Sequence, residues 1–133
     1  MQNGITVAGG NGSNQLSSPE GICIDDDQNI YVANYSNHRI VQWKKDATVG
    51  QVVAGGEEAG NRNDQLNGPA NVILDKKNDC LIISDYINRR VMRWPRQNGT
   101  SGEIIISNII CWGVAMDNDG YLYVSDIGNH EVR

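Results

Sequence analysis

One pattern of residues occurs three times in this chain, and that repetition limits the fold more than any single motif does. Residues 19–25, 30–34 and 37–43 are three short runs rich in Ile, Val and Tyr, separated by turn residues. Residues 71–75, 81–85 and 88–94 restate them, and residues 113–117, 121–126 and 129–133 restate them again. Each unit has room for four strands. Such a unit returning every ~40 to 50 residues predicts an all-β array of four-stranded antiparallel blades, a β-propeller. A unit of this kind cannot bury its own apolar faces, so the core must lie between neighbouring units.

Residues 5–8, 51–56 and 103–107 are short apolar segments ended by Gly or Ser, and read as fourth strands. The predicted organisation of residues 1–133 is therefore a single propeller segment. It has a lone fourth strand at 5–8, blade 1 at 19–55, blade 2 at 69–107 and an incomplete blade 3 at 111–133. Polar loops at 11–18 and 57–68 share a Gln-Leu-x-x-Pro tail. There Leu66 is expected to pack under the blade and Pro69 to set the angle at which the next strand begins.

The first strand of each unit ends in Asp25, Asp75 or Asp117, and its apolar character predicts cover on both faces. The turn at 117–120 has acidic residues near a Gly but lacks calcium-loop spacing, so it reads as a hairpin turn. The second strands end in Asn34, Asp85 and Asp126, followed three residues later by Asn37, Asn88 and Asn129. A carboxylate and an amide at this spacing tie down the backbone of a tight corner, and Arg39 or Arg90 can fork onto the acid. A residue found in every unit belongs to the frame, not to a site.

At these residues the chain resembles the NHL repeat, through Pro-x-Gly-[Ile/Val]-x-[Ile/Val]-Asp and then Tyr-Val-[Ala/Ser]-Asp-x-x-Asn-His-Arg-Ile. The resemblance covers nearly the whole chain and implies blades of a six-bladed propeller with the first strand lining a central channel. Asn34 stands where the family has Asp, Arg89 where it has His, and Glu131 where it has Arg, which removes the expected Arg–Asp pairing from the third unit. The family includes protein-binding and RNA-binding platforms, sensor domains and an amidating lyase, so the resemblance leaves function open.

Composition narrows the choice. Eleven basic residues against sixteen acidic give a net charge of −5, which argues against nucleic acid as partner. Arg89, Arg90, Arg93 and Arg96 beside Trp94 form the one local exception. No apolar run has the length of a membrane span, and residues 1–4 lack the charged and apolar regions of a signal peptide. Cys23, Cys80 and Cys111 are neither even in number nor in CxxC spacing. They read as small apolar residues, with one disulfide as the lesser reading. Glycosylation sequons at Asn11, Asn34 and Asn98 are weak signals in so Asn-rich a chain.

A zinc enzyme of this architecture needs histidines around the axis. The two present, His38 and His130, fall in equivalent corners, expected at the blade periphery. A calcium enzyme would use oxygen donors at the channel mouth, where Glu20 and Asn71 stand, but calcium takes six to eight. No metal or other cofactor is expected. Trp43 and Trp94 end equivalent third strands and read as packing between blades. Trp112 begins an inner strand at the mouth, with Tyr35 and Tyr86 in corners on the same face. It is either a binding anchor or a ring buried under a loop. The expectation is a non-enzymatic module that binds a protein or peptide through Tyr35, Tyr86, Trp112, Asn61, Arg62, Glu20 and Asn71. A metal-dependent lactonase- or lyase-like enzyme and an RNA platform are the alternatives. Three blades make half of a six-bladed ring. The chain is accordingly expected either to pair with a second copy, with residues 5–8 exchanged, or to be a piece of a longer propeller.

Overall fold

The computed structural model describes residues 3–9, 15–56 and 58–133; residues 11–14 of the first polar loop, with the sequon at Asn11, lie outside the described residues. Three antiparallel sheets follow one another along the chain. Blade 1 contains β1 (Pro19–Ile24), β2 (Ile30–Asn34), β3 (Arg39–Trp43) and β4 (Gln51–Ala54). Blade 2 contains β5 (Pro69–Asp75), β6 (Cys80–Asp85), β7 (Arg90–Pro95) and β8 (Glu103–Ser107). Blade 3 contains β9 (Cys111–Met116), β10 (Leu122–Asp126) and β11 (Glu131–Val132). In each sheet the strands lie in chain order, so every connection is a hairpin. No described helix is long and apolar enough to cross a membrane.

The innermost strands β1, β5 and β9 lie next to one another, and the blades stack like pages around them. Successive side chains of a strand point to opposite faces, so each blade sends one set of residues to each neighbour. Tyr31, Ala33 and Ile40 of blade 1 pack on Val72, Ile83 and Met92 of blade 2. On the other side of blade 2, Ile82 and Val91 pack on Val114 and Val124 of blade 3. Leu66 from the loop before blade 2 is fully buried in the first of these layers. Gly21 sits where β1 meets β5. A Cβ there would come within 2.6 Å of the Asn71 backbone, so only glycine allows the inner strands this approach.

The carboxylates that end the first strands organise the next turn. Asp25 Oδ1 accepts hydrogen bonds from the Asp27 and Asn29 amides, and its Oδ2 accepts from the Asn29 side chain and the Tyr31 hydroxyl. Asp117 repeats this with the Asp119 and Tyr121 amides and the Tyr123 hydroxyl. Asp75, where Ile82 takes the tyrosine's place, keeps the amide and side chain of Asn78.

The second corner is stronger. Asp85 and Arg90 are buried and 2.7 Å apart. Asp85 also accepts from the Asn67 amide and the Asn88 side chain. The Arg90 guanidinium then donates to the carbonyls of Asn61, Arg62 and Gln65, each at 2.9 Å, and so straps the preceding loop to the blade. In blade 3 Asn129 bonds to Asp126 as Asn88 does to Asp85. Glu131 occupies the arginine position there, yet Asp126 is not left without a cation, because Arg133 reaches it at 3.3 Å.

The strands and their cover depart from the sequence reading in three places. Residues 5–8 form no strand, and Ile5 and Val7 are exposed. A fourth strand needs the edge of a third strand to pair with; β4 and β8 already occupy the edges of β3 and β7, and the free edge of β11 offers only two residues. The inner strands are not all covered on both faces. β5 is, whereas Ile22 and Ile24 of β1 are 67% and 58% exposed because no blade precedes them in the structure. Trp94 packs between blades, but Trp43 is covered within its own blade by Gly50, where a Cβ would lie 2.6 Å from the indole.

Candidate functional site

Three aromatic rings from three different blades meet on the face formed by the second-to-third-strand corners and the loops between blades. Trp112 is the second residue of β9, Tyr35 follows β2 and Tyr86 follows β6. The Trp112 ring lies 4.9 Å from Tyr86, edge to face, and 5.8 Å from Tyr35, tilted by 31°. Both separations are those of interacting aromatic pairs. Trp112 stays 36% exposed, and the two tyrosines are half-buried. The ring is therefore neither free nor hidden under a loop: it is held from two sides and open on the third.

The support beneath it is rigid. The buried Ser84 of β6 donates its hydroxyl to the Trp112 carbonyl at 2.9 Å, and the next amide, Gly113, donates to Ser125 of β10 at 2.9 Å. Trp112 is thus tied to blades 2 and 3 through its own backbone. Tyr35 is placed by a 3-10 turn, Tyr35–Asn37, that ends at His38 with a φ of 57°. Arg89 and His130 hold the same left-handed conformation at the equivalent corners, so all three blades turn alike.

His38 does not sit at the blade periphery as the sequence suggested. Its Nδ1 accepts a hydrogen bond from the Gly68 amide at 3.0 Å, so it joins the blade 1 corner to the start of blade 2. Gly68, with a φ of 61°, lies between Tyr35 and Ile87. A Cβ there would stand 2.7 Å from Ile87 and 3.0 Å from Tyr35. Ile87 and Ile127 remain exposed on this face and extend its apolar area. His38, Ser84 and Ile87 were absent from the expected site. The Asn-His pair of the motif marks His38, but its partner lies thirty residues away.

The remaining expected residues do different things. Glu20 is exposed beside Gly21, and Asn71 turns its Oδ1 to its neighbour's amide, Val72, at 2.9 Å. Asn61 and Arg62 serve chiefly through the backbone carbonyls that Arg90 grips, and the Arg62 side chain pairs with Asp64 in the same loop at 3.0 Å. Within the basic cluster around Trp94, Arg90 is buried on Asp85, Arg93 pairs with Glu103 and Arg96 pairs with Asp79. Only Arg89 of that cluster is without a carboxylate among the described residues.

On the opposite face Asp25, Asp26, Asp75 and Asp79 line a cleft of about 190 Å³ whose cations are Lys76 and Arg96. Among the described residues, no three His, Cys, Asp or Glu side chains are grouped to hold a metal ion. The three thiols are free, and burial pushes Cys23 up to about 12 and Cys111 up to about 11. Thiols so protonated are poor nucleophiles.

The family model of the NHL repeat matches residues 16–43. No curated protein matches the chain. Among solved structures, that of a streptogramin B lyase superposes with a TM-score of 0.64 at 20% identity, over 88% of this chain and 40% of its own. A putative exported protein from Bacteroides fragilis superposes with a TM-score of 0.70 at 10% identity, over 90% of this chain and 33% of its own. The virginiamycin B lyase from Staphylococcus aureus gives 0.63 at 11%, over 91% and 42%. The chain spans at most about two-fifths of each of these proteins. At such identities the likeness concerns the fold. Residues 16–43 are thus similar to an NHL repeat, in a chain that folds as consecutive blades of a β-propeller.

Proposed function

We propose that this chain is a non-enzymatic scaffold that binds a protein or peptide on its aromatic face. The observation that carries the reading is the convergence of Tyr35, Tyr86 and Trp112 from three blades, with Trp112 pinned by Ser84 and still open to solvent. A rigid aromatic with an apolar surround and one free face is a binding anchor of low entropic cost. Loops carried on a rigid scaffold are where such proteins bind. The acidic balance and the internal pairing of Arg90, Arg93 and Arg96 favour a polypeptide over nucleic acid.

The test uses peptides selected by display on the intact chain. Trp43 and Trp94 are buried, so a change in tryptophan emission on titration reports Trp112. Trp112→Ala is expected to weaken the selected peptides at least ~10-fold, about 1.4 kcal/mol, with little change in melting temperature. Peptides that bind Trp112→Ala as well as the parent would sink the proposal.

A second reading, a metal-dependent enzyme, draws on the likeness to two lyases and on Glu20 and Asn71 at the channel mouth. Stoichiometric calcium or zinc in the purified protein, lost on Glu20→Ala, would favour it over the first.

A further inference from the structure

Each blade has two unlike faces, and blades 1 and 2 show how one fits the other. Tyr31, Ala33 and Ile40 of blade 1 meet Val72, Ile83 and Met92 of blade 2. A polar clamp closes this contact on the cleft side. The Tyr31 hydroxyl donates to Asp25 at 3.1 Å, and Arg96 reaches over from blade 2, 3.3 Å from that hydroxyl and 3.6 Å from the carboxylate.

The outer faces of blades 1 and 3 carry the same parts unassembled. On the free face of blade 3, Tyr123 donates to Asp117 at 3.1 Å, the distance found for Tyr31 and Asp25, and is 47% exposed. No cation is paired with Asp117 among the described residues. On the free face of blade 1, Ile22 and Ile24 occupy the places that Val72 and Leu74 hold in blade 2, and are exposed. Lys45, two residues after Trp43, stands where Arg96 stands after Trp94. It is exposed, with no carboxylate partner among the described residues.

We propose that a second copy of this chain seats its blade 1 face on the blade 3 face of the first, repeating the contact between blades 1 and 2, with Lys45 of the second copy at the Tyr123–Asp117 pair. If each blade turns the ring by about 60 degrees, two copies of three blades meet at both ends and close. Both exposed apolar faces are then covered, which a stable soluble assembly requires. The contact is head to tail and needs no exchange of residues 5–8.

Sedimentation of the full chain across micromolar to millimolar concentration tests this. The expected species is a dimer of twice 14.6 kDa. Ile24→Arg on blade 1 and Ala115→Arg on blade 3, both at exposed positions, should each abolish the closed dimer while circular dichroism shows folded chains. Mixed together they should associate again, because each variant retains the face the other has lost. Lys45→Glu should raise the dimer dissociation constant at least tenfold, and Lys45→Arg should leave it near that of the parent chain. A folded monomer at every concentration overturns the proposal. So does a dimer that survives Ala115→Arg unchanged, which would mean blade 1 pairs with blade 1. Open assemblies larger than a dimer overturn the two-copy ring.

Discussion

Blades 1 and 2 build the same corner on different side chains, an amide at Asn34 and a carboxylate at Asp85. In blade 2, Asp85 accepts from the Asn67 amide at 2.7 Å, from Asn88 at 2.8 Å and from Arg90 at 2.7 Å. In blade 1, Asn34 keeps the first of these, accepting from the Ser17 amide at 2.7 Å. Its remaining group is an amide nitrogen, which donates and cannot accept. Arg39 has a buried Nε without an acceptor among the described residues, and Asn37 turns to the Gln15 carbonyl at 3.4 Å. The backbone tie from corner to loop survives without charge. In blade 2 the carboxylate seats Arg90, which holds the carbonyls of Asn61, Arg62 and Gln65.

Breaking the corner on each side measures that difference, and the largest effect is expected in blade 2. Arg90→Ala leaves Asp85 buried without its cation and frees three loop carbonyls. A loss of about 3–5 kcal/mol is expected from removing one partner of a buried pair. Arg39→Ala removes no such pair and should cost roughly 1 kcal/mol or less. Urea unfolding of the two variants decides. Equal losses would mean that the carboxylate is not what separates the corners.

The same comparison can be sharpened by placing at position 34 the residue that blades 2 and 3 carry there, as Asp85 and Asp126. Asn34→Asp would keep the Ser17 contact and offer an acceptor to Asn37 and Arg39. A gain of about 0.5–1.5 kcal/mol is expected for the regained hydrogen bonds, offset in part by desolvation of the new charge. Arg39→Ala in that background should then cost more than it does in the parent chain. If Asn34→Asp destabilises, desolvation outweighs the new contacts and the two corners are not interchangeable.

These corners also show what the sequence could reveal. The Asp-x-x-Asn spacing and the arginine two residues on specify a local corner, because the side chains that bind Asp85, Asn88 and Arg90, lie within five residues of it. That made the frame and the blade order readable. The aromatic site was half readable: Tyr35, Tyr86 and Trp112 could be assigned to one face by their places in the repeat. Their meeting could not, because it depends on how three blades are rotated about the axis. Ser84 beneath Trp112 and Arg96 over Tyr31 act across 28 and 65 residues, and spacing within a unit says nothing about either. Residues 5–8 failed as a strand for a related reason. Apolar alternation marks a segment able to pair, while pairing also needs a free edge within reach.

The smallest effect, and the last prediction, is in the pH dependence. Burial works to raise Asp25, but the bonds from Asn29, Tyr31 and Asp27 outweigh it and hold the carboxyl below its usual 3.8. Asp117 is lowered above all by the Tyr121 amide, and Asp126 by Asn129. For these three the unfolded chain binds protons more readily than the folded one. Their contribution is present above the usual carboxylate value and lost as pH falls through the folded values. Asp85 runs the other way, since burial raises it in spite of Arg90. Between 3.8 and its folded value, stability attributable to Asp85 falls as pH rises. Asn34 has no such titration, so blade 1's corner is silent and blade 2's is not. The melting temperature should therefore drop on acidification below about pH 4, and Asp85→Asn should remove the opposing slope just above it. The slope reports Asp85 only if Asp85→Asn changes the curve there while leaving the acid limb, set by Asp25, Asp117 and Asp126, where it was; an unchanged curve would place the proton elsewhere.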